Sequence, residues 1–192
     1  EIVVGAEGAP CVAAAPDHGV VVSFDGGWKR PRGGAGACLW VPGGRAPLAS
    51  VSMAVPQAGS SLEAEAWGLR LGLTLLARWA RLCGGRRALV VGDRADVVRF
   101  GAVGGGIRDP VVHGILEEAL WGALRDGLSL DWAAVRRQFN EEADGCAGHG
   151  VDICRGGAGA GGTGLQLVWA GAVHQLRGTP SDMASDLAVI GP

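Results

Sequence analysis

The feature that most constrains the fold is a near-continuous apolar run, Val20 to Phe24, which is closed by Asp25 and two glycines. A short apolar run bounded by turn residues is typical of a strand buried on both faces. Asp25 then stands at the end of a buried strand, with no side chains beside it on Gly26 and Gly27. A metal ion or a phosphate backbone could reach this carboxylate. The alternative is that Asp25 only opens a hairpin turn, as Asp-Gly often does.

The rest of the pattern predicts an α/β fold. Two further strands with short connections predict an antiparallel meander. Leucines then recur at helical spacing behind Ser61, a candidate N-cap. A short buried strand ends at Gly92-Asp93, and because a helix joins it to the sheet, we expect it to lie parallel to the first strand. The predicted order is β-β-β-α-β-α-α-β-α, a mixed five-stranded sheet with helices on both faces: strands 20–25, 37–41, 47–55, 88–91 and 128–135, and helices 61–82, 94–103, 109–126 and 140–149.

Composition shifts divide the chain into three segments. Residues 1–18 are small and apolar with two prolines, which predicts a linker or an N-terminal strap. Residues 19–152 form the predicted domain. Residues 153–192 are interpreted as a glycine-rich linker and a C-terminal extension, in which 165–172 could add an edge strand. The chain starts at Glu1, so we expect a processed product or a piece of a longer polypeptide.

Composition also excludes several classes of protein. The net charge of −2 excludes a basic footprint over the whole surface, so any nucleic-acid binding must be local. No stretch approaches the roughly 20 apolar residues that span a bilayer, so we expect no membrane span. The five cysteines are odd in number and lack C-x-x-C spacing, which indicates free thiols in a reducing, intracellular compartment.

Four acidic residues fall at comparable places in the predicted elements. Asp25 and Asp93 end two neighbouring strands, whereas Glu65 and Asp144 lie on helices that can cover the same edge. Clustered carboxylates raise one another's pKa unless a cation neutralises them. Hard oxygen ligands suit Mg²⁺, and two such ions about 4 Å apart can activate water and stabilise a leaving oxygen. The pattern therefore predicts phosphodiester hydrolysis.

Four strings resemble ribonuclease H, with the nearest likeness to the ribonuclease H domains of retroelement reverse transcriptases and their free-standing relatives. They are F-D-G-G-W-K-R-P-R-G-G-A-G-A (24–37), A-E-A-W-G-L-R-L-G-L (64–73), V-V-G-D-R-A-D-V-V (90–98) and W-A-A-V-R-R-Q-F-N-E-E-A-D (132–144). The resemblance maps the family's metal-binding acids onto Asp25, Glu65, Asp93 and Asp144. Glu63 competes for the second place, but the Ala-Glu dipeptide with Gly-Leu behind it favours Glu65.

The resemblance implies a nuclease that cuts the RNA strand of RNA/DNA hybrids with two Mg²⁺ ions, or Mn²⁺ in their place. Such an enzyme can recognise 2′-hydroxyls across a wide minor groove with little base reading. Backbone at Gly26, Gly27 and Ser61 would approach the RNA. The candidate phosphate contacts are basic side chains, for which a solvated surface is the alternative: Lys29, Arg30, Arg32, Arg136 and Arg137.

The sequence departs from the family at three places. Ala134 stands where many members have a proton-shuttling histidine, Ser61-Leu62 replaces Asn-Asn, and a basic helical protrusion is missing. We therefore expect weak hybrid affinity and tethering to a larger protein or ribonucleoprotein assembly. These departures also motivate an alternative, a non-catalytic ribonuclease-H-like subunit that serves as a structural or RNA-binding component. A third interpretation is one domain of a retroelement polyprotein.

Overall fold

The computed structural model describes residues 19–41, 44–156 and 164–177, which form one mixed sheet with helices packed on it. The predicted strap, residues 157–163 of the predicted linker and the last fifteen residues lie outside this description. Seven strands lie in the order β5-β4-β1-β2-β3-β6-β7. They are β1 Val20–Lys29, β2 Arg32–Trp40, β3 Ala49–Val55, β4 Arg87–Gly92, β5 Ser129–Ala134, β6 Gly164–Trp169 and β7 Ala172–Arg177.

The described residues also form four α-helices. They are α1 Ser61–Cys83, α2 Ala95–Val103, α3 Pro110–Arg125 and α4 Glu141–Gly156, with a short 3-10 turn at Arg137–Phe139 before α4. Asp109 begins α3 as predicted, since its carboxylate accepts hydrogen bonds from the backbone of Val111 and Val112 and proline follows it. None of the helices in the described ranges is long and apolar enough to cross a membrane.

The predicted topology is confirmed for the first five strands. Strand β1 pairs antiparallel with β2 and parallel with β4, where Ser23 lies opposite Val91. Strand β5 is parallel to β4. The sheet has seven strands and not five, because β6 pairs with β3 and β7 with β6. The strand that 165–172 could add is present as β6, but it is not at the edge of the sheet, because β7 pairs with it on the outside.

The two faces of the sheet bury cores of unequal size. One face carries α1, α2 and α3 over a large apolar cluster that includes the fully buried Phe24, Leu69 and Leu76. The other face carries α4 over a small cluster of Val21, Cys38, Trp40 and Val91. Glycine replaces large side chains under α4.

The end of the first strand was predicted wrongly. Strand β1 does not stop at Asp25 but continues to Lys29, and β2 begins at Arg32 instead of at residue 37. Gly26 and Gly27 are strand residues on which helices rest. A Cβ atom at Gly26 would lie 2.1 Å from the backbone nitrogen of Glu65 in α1, and one at Gly27 would lie 3.1 Å from Ala147 O in α4. Consecutive strand residues point to opposite faces of the sheet, so Gly26 faces α1 and Gly27 faces α4. The strand next to Asp25 is therefore covered by a helix on each face.

Helix α1 begins at residue 61 as predicted, but its N-cap differs by one residue from the prediction. The N-cap is Ser60, not Ser61, since its hydroxyl accepts a hydrogen bond of 3.1 Å from Glu63 N. The Glu63 carboxylate accepts in turn from Gly59 N at 2.7 Å. These two bonds satisfy free donors at the helix start, as in a capping box. They also hold the Glu63 carboxylate at the start of the helix.

Candidate metal-binding active site

Two carboxylates meet because their strands are parallel neighbours. Asp25 lies within β1 and Asp93 directly follows β4, so both lie towards the same edge. Asp25 is buried and Asp93 is half-buried, and the nearby Asp93 carboxylate contributes to a raised pKa of Asp25.

Glu65 joins this pair from α1, one residue beyond the first turn of that helix. The helix comes this close because Gly26 and Gly68 have no side chains; a Cβ atom at Gly68 would lie 2.2 Å from Asp25 O. Glu65 is 7% exposed, and its Oε2 atom has no hydrogen-bond partner. Carboxylate oxygens of Asp25, Glu65 and Asp93 all lie within 4.8 Å of one another. We call these three residues the carboxylate cluster.

The acids of the carboxylate cluster are buried together without enough positive charge to neutralise them, and this raises the pKa of two of them. Burial, reinforced by Asp93 and Asp144, raises the pKa of Asp25 from 3.8 to about 7. Burial, reinforced by Asp25 and Asp93, raises the pKa of Glu65 from 4.5 to about 9. A divalent cation would remove both penalties and pair the free Glu65 oxygen. The residues present therefore fit a metal ion held by hard oxygen ligands.

Asp144, the fourth predicted acid, is placed differently. It lies in the first turn of α4, close enough to raise the pKa of Asp25, but it is not one of the three whose oxygens lie within 4.8 Å. Its Oδ1 accepts a hydrogen bond of 2.5 Å from Arg137 Nη2, and both side chains are partly exposed. In this structure Arg137 thus neutralises Asp144 directly.

Glu63 does not compete for the cluster, since its carboxylate binds Gly59 N and caps α1. Of the two glutamates near the start of α1, it is Glu65 that lies close to Asp25 and Asp93.

The remaining predicted contact residues differ in their exposure to solvent. Lys29, Arg136 and Ser61 are exposed, and Ser61 accepts a hydrogen bond from Arg94. Gly26 and Gly27 are half-buried under α1 and α4, which accounts for glycine at both positions without any ligand. A role of these residues in binding RNA stays a prediction.

Two polar residues of the site were missed by sequence reasoning. Arg94 directly follows Asp93, donates to Ser61 Oγ and Asp96 Oδ1 at 3.2 Å each, and counteracts the rise in the pKa of Glu65. Asn140 is fully buried and donates from Nδ2 to Phe24 O at 2.9 Å, which links the start of α4 to β1. Its position four residues before Asp144 was the available signal.

Two histidines, His113 and His149, lie away from the carboxylate cluster. His113 contacts Glu117 and the ring of Phe100 on α3's side of the molecule. His149 lines a cavity on the α4 face. Ala134 ends β5 and is exposed. Neither histidine substitutes for the one that Ala134 replaces.

Comparison with solved structures defines the class of this fold. The N-terminal ribonuclease H domain of a Mycobacterium tuberculosis protein, solved as a fusion with maltose-binding protein, matches with a TM-score of 0.61 and 25% identity, over 72% of this chain and 97% of that one. Ribonuclease H1 from the archaeon Halobacterium salinarum NRC-1 matches with a TM-score of 0.58 and 22% identity, over 70% and 98%.

A third neighbour, LC11 ribonuclease H1 from compost, was solved in complex with an RNA/DNA hybrid. It matches with a TM-score of 0.64 and 16% identity, over 71% of this chain and 99% of that one. No protein-family model matches the sequence, and no curated protein does.

The chain has the ribonuclease H fold, since the match covers nearly the whole length of each neighbour. These neighbours confirm the predicted fold and support the ribonuclease H family assignment that the four strings predicted. The retroelement branch of that family stays a prediction.

Proposed function

We propose that this chain is a metal-dependent endonuclease that hydrolyses the RNA strand of RNA/DNA hybrids. The observation that carries the proposal is the carboxylate cluster, three acids from two strands and a helix whose oxygens lie within 4.8 Å of one another. Its setting adds support, because the solved neighbours of this fold are ribonucleases H and one of them holds an RNA/DNA hybrid. Burial of unpaired acids destabilises a fold unless a ligand offsets it, so the cluster has a purpose beyond packing.

The cation we propose is Mg²⁺, with Mn²⁺ as a substitute and two ions per site. Oxygen is the only donor type in the cluster, which favours these hard ions over softer metals. When bound, such a pair supplies an activated water and stabilises the leaving oxygen of the phosphodiester. Asp25, Glu65 and Asp93 would hold one ion. Asp144 would contribute to the second once it exchanges Arg137 for metal.

The proposed substrate surface surrounds the cluster. Lys29 and Arg30 are exposed at the end of β1, and Arg136 and Arg137 are exposed before α4. We propose that they bind phosphates, while the backbone near Gly26, Gly27 and Ser61 meets the RNA strand and its 2′-hydroxyls. This basic surface is small, so tethering to a larger assembly is part of the proposal. Because this chain has Ala134 where many family members have a proton-shuttling histidine, we propose that protons leave the site by exchange with solvent water.

The test is hydrolysis of an end-labelled RNA/DNA hybrid with Mg²⁺ or Mn²⁺. We expect cleavage of the RNA strand by the intact chain and none by Asp93→Asn. The matched pair Glu65→Gln and Glu63→Gln separates the cluster from the helix cap, since only the first should abolish cleavage.

A folded chain that binds the hybrid but cleaves it with neither metal would contradict the proposal. That outcome would support the non-catalytic subunit instead, which the comparisons do not favour.

A further inference from the structure

A second cluster of reactive side chains lies on the α4 face of the sheet. The sulfur atoms of Cys146, on α4, and Cys38, on β2, are 3.8 Å apart. They lie 108 residues apart in the sequence, and neither belongs to the carboxylate cluster.

The two thiols differ in access. Cys38 is fully buried beside Val21, Trp40 and Val91. Cys146 is half-buried and lines a cavity of about 210 Å³. Exposed Glu142 and His149 form part of the cavity wall, so a small solute can approach one sulfur while the other stays behind it.

Serine side chains of the sheet lie beside the two cysteines. Ser50 and Ser52 line the cavity from β3 together with Cys146, and Ser23 and Ser50 lie opposite Cys38 on the two neighbouring strands. Ser23 is itself fixed by Trp40 Nε1, which donates to its hydroxyl at 3.0 Å. The two sulfurs therefore meet beside small polar side chains of the sheet.

We propose that Cys146 and Cys38 form a peroxide-reactive dithiol, with Cys146 as the attacking sulfur and Cys38 as the resolving one. The Cys146 sulfur attacks one peroxide oxygen, so that an S–O bond forms and the O–O bond breaks. The leaving oxygen takes the thiol proton as water or an alcohol. The Cys38 sulfur then attacks the sulfenic acid, which forms the S–S bond, breaks the S–O bond and releases water with the second proton.

The balance is a two-electron oxidation of two thiols by one peroxide. An approach of about 2 Å brings the sulfurs from contact to bonding distance. The disulfide ties α4, the helix that carries Asp144, to β2. Because it closes a long loop of chain, it should stabilise the folded state strongly.

The experiment treats the reduced full chain with stoichiometric hydrogen peroxide, blocks free thiols and maps the peptides by mass spectrometry. We expect one cross-linked peptide pair, Cys38 with Cys146, lighter by two hydrogens than its reduced form. The melting temperature should rise by roughly 5 °C or more, and dithiothreitol should reverse the rise.

Two variants keep the test sharp. Cys38→Ser should leave a sulfenic acid on Cys146 that dimedone traps, without a cross-link. Cys83→Ser removes an exposed thiol at the end of α1 and should change nothing. The proposal is overturned if Cys83 or Cys154 is oxidised while Cys38 and Cys146 remain reduced, or if dimedone fails to label Cys146 in the Cys38→Ser chain.

Discussion

The two helices that bring acids to the site are held on the sheet in different ways. Beyond its close approaches at Gly26 and Gly68, α1 is held by buried leucines such as Leu69 and Leu76. Helix α4 instead rests with its backbone on strand backbone: Cβ atoms at Gly34 and Gly36 would each lie 2.3 Å from α4 backbone atoms. The carboxyl groups reflect this contrast, since Glu65 is buried and unpaired whereas Asp144 is partly exposed and paired with Arg137. Glu65 is therefore held in position before a metal ion binds, whereas Asp144 can exchange its partner Arg137 for a metal ion.

The sharpest test of this contrast is the loss of activity when each acid is neutralised. We expect Glu65→Gln to lower the rate of hybrid cleavage by on the order of 10³-fold, because a buried ligand of the cluster has no substitute. Asp144→Asn should cost less, about 10-fold to 100-fold, since its present partner is Arg137. Single-turnover rates at saturating Mg²⁺ measure both. Equal losses of cleavage rate in the two variants would contradict this contrast between Glu65 and Asp144.

The packing of the two faces predicts different sensitivities to small changes in volume. Leu69→Ala should lower the free energy of unfolding by roughly 2–5 kcal/mol, because it leaves a cavity in the large core. Gly36→Ala should cost about 1–3 kcal/mol or more, since one methyl group displaces α4. Urea unfolding with far-ultraviolet circular dichroism measures both variants.

Gly148→Ala is the matched control for Gly36→Ala, because it lies on α4 where an added Cβ would meet nothing within 4 Å. It should be neutral or slightly stabilising, as alanine favours helix over glycine by about 1 kcal/mol. If Gly36→Ala is as mild as Gly148→Ala, backbone contact is not what holds α4.

The buried acids predict a pH dependence of the metal-free chain. A carboxyl group with a raised folded pKa contributes its stability fully below the unfolded value, and this is lost as pH rises through the folded value. For Asp25 the loss runs from about pH 4 to about 7, and for Glu65 it continues to about 9. Melting temperatures in chelator should therefore fall over that range.

Mg²⁺ should raise the melting temperature more at pH 8 than at pH 5, because a cation offsets the repulsion that appears at high pH. Asp25→Asn should flatten the lower part of the profile. A profile that is the same in Asp25→Asn and the intact chain would contradict the assignment of the raised pKa.

The smallest effect concerns Arg137. Arg137→Ala removes the partner of Asp144, so the Mg²⁺ concentration for half-maximal activity should fall several-fold, while KM for the hybrid rises as a phosphate contact is lost. Arg136→Ala is the matched control, since it should raise KM alone. An unchanged metal requirement in Arg137→Ala would show that the ion pair does not compete with metal.

Much of the fold could be predicted because the elements carry strong local patterns. The leucine spacing of α1, the N-cap at Asp109 and the apolar run of β4 each identify an element from its own sequence. The end of β1 could not be predicted in this way. Gly26-Gly27 behind an aspartate has the composition of a turn, and only the helices that rest on these glycines explain why the strand continues.

The candidate site could be predicted in part for the same reason. Strand order brings Asp25 to Asp93. The start of α1 offers two glutamates, and Glu63 is excluded because it caps the helix. The pairing of Asp144 with Arg137 depends on the 3-10 turn before α4, which left no periodic signal. The location of Arg94 next to Ser61 joins distant parts of the chain, so no local pattern could reveal it.

The raised pKa values of the two buried acids also make the site a proton–metal exchanger. At neutral pH Glu65 and a fraction of Asp25 retain a proton in the cation-free site, so a divalent ion that enters must release these protons into the medium. Uptake of Mg²⁺ will then acidify an unbuffered solution, and the measured heat of binding will vary with the ionisation enthalpy of the buffer. The affinity of the site for Mg²⁺ will increase as the pH rises.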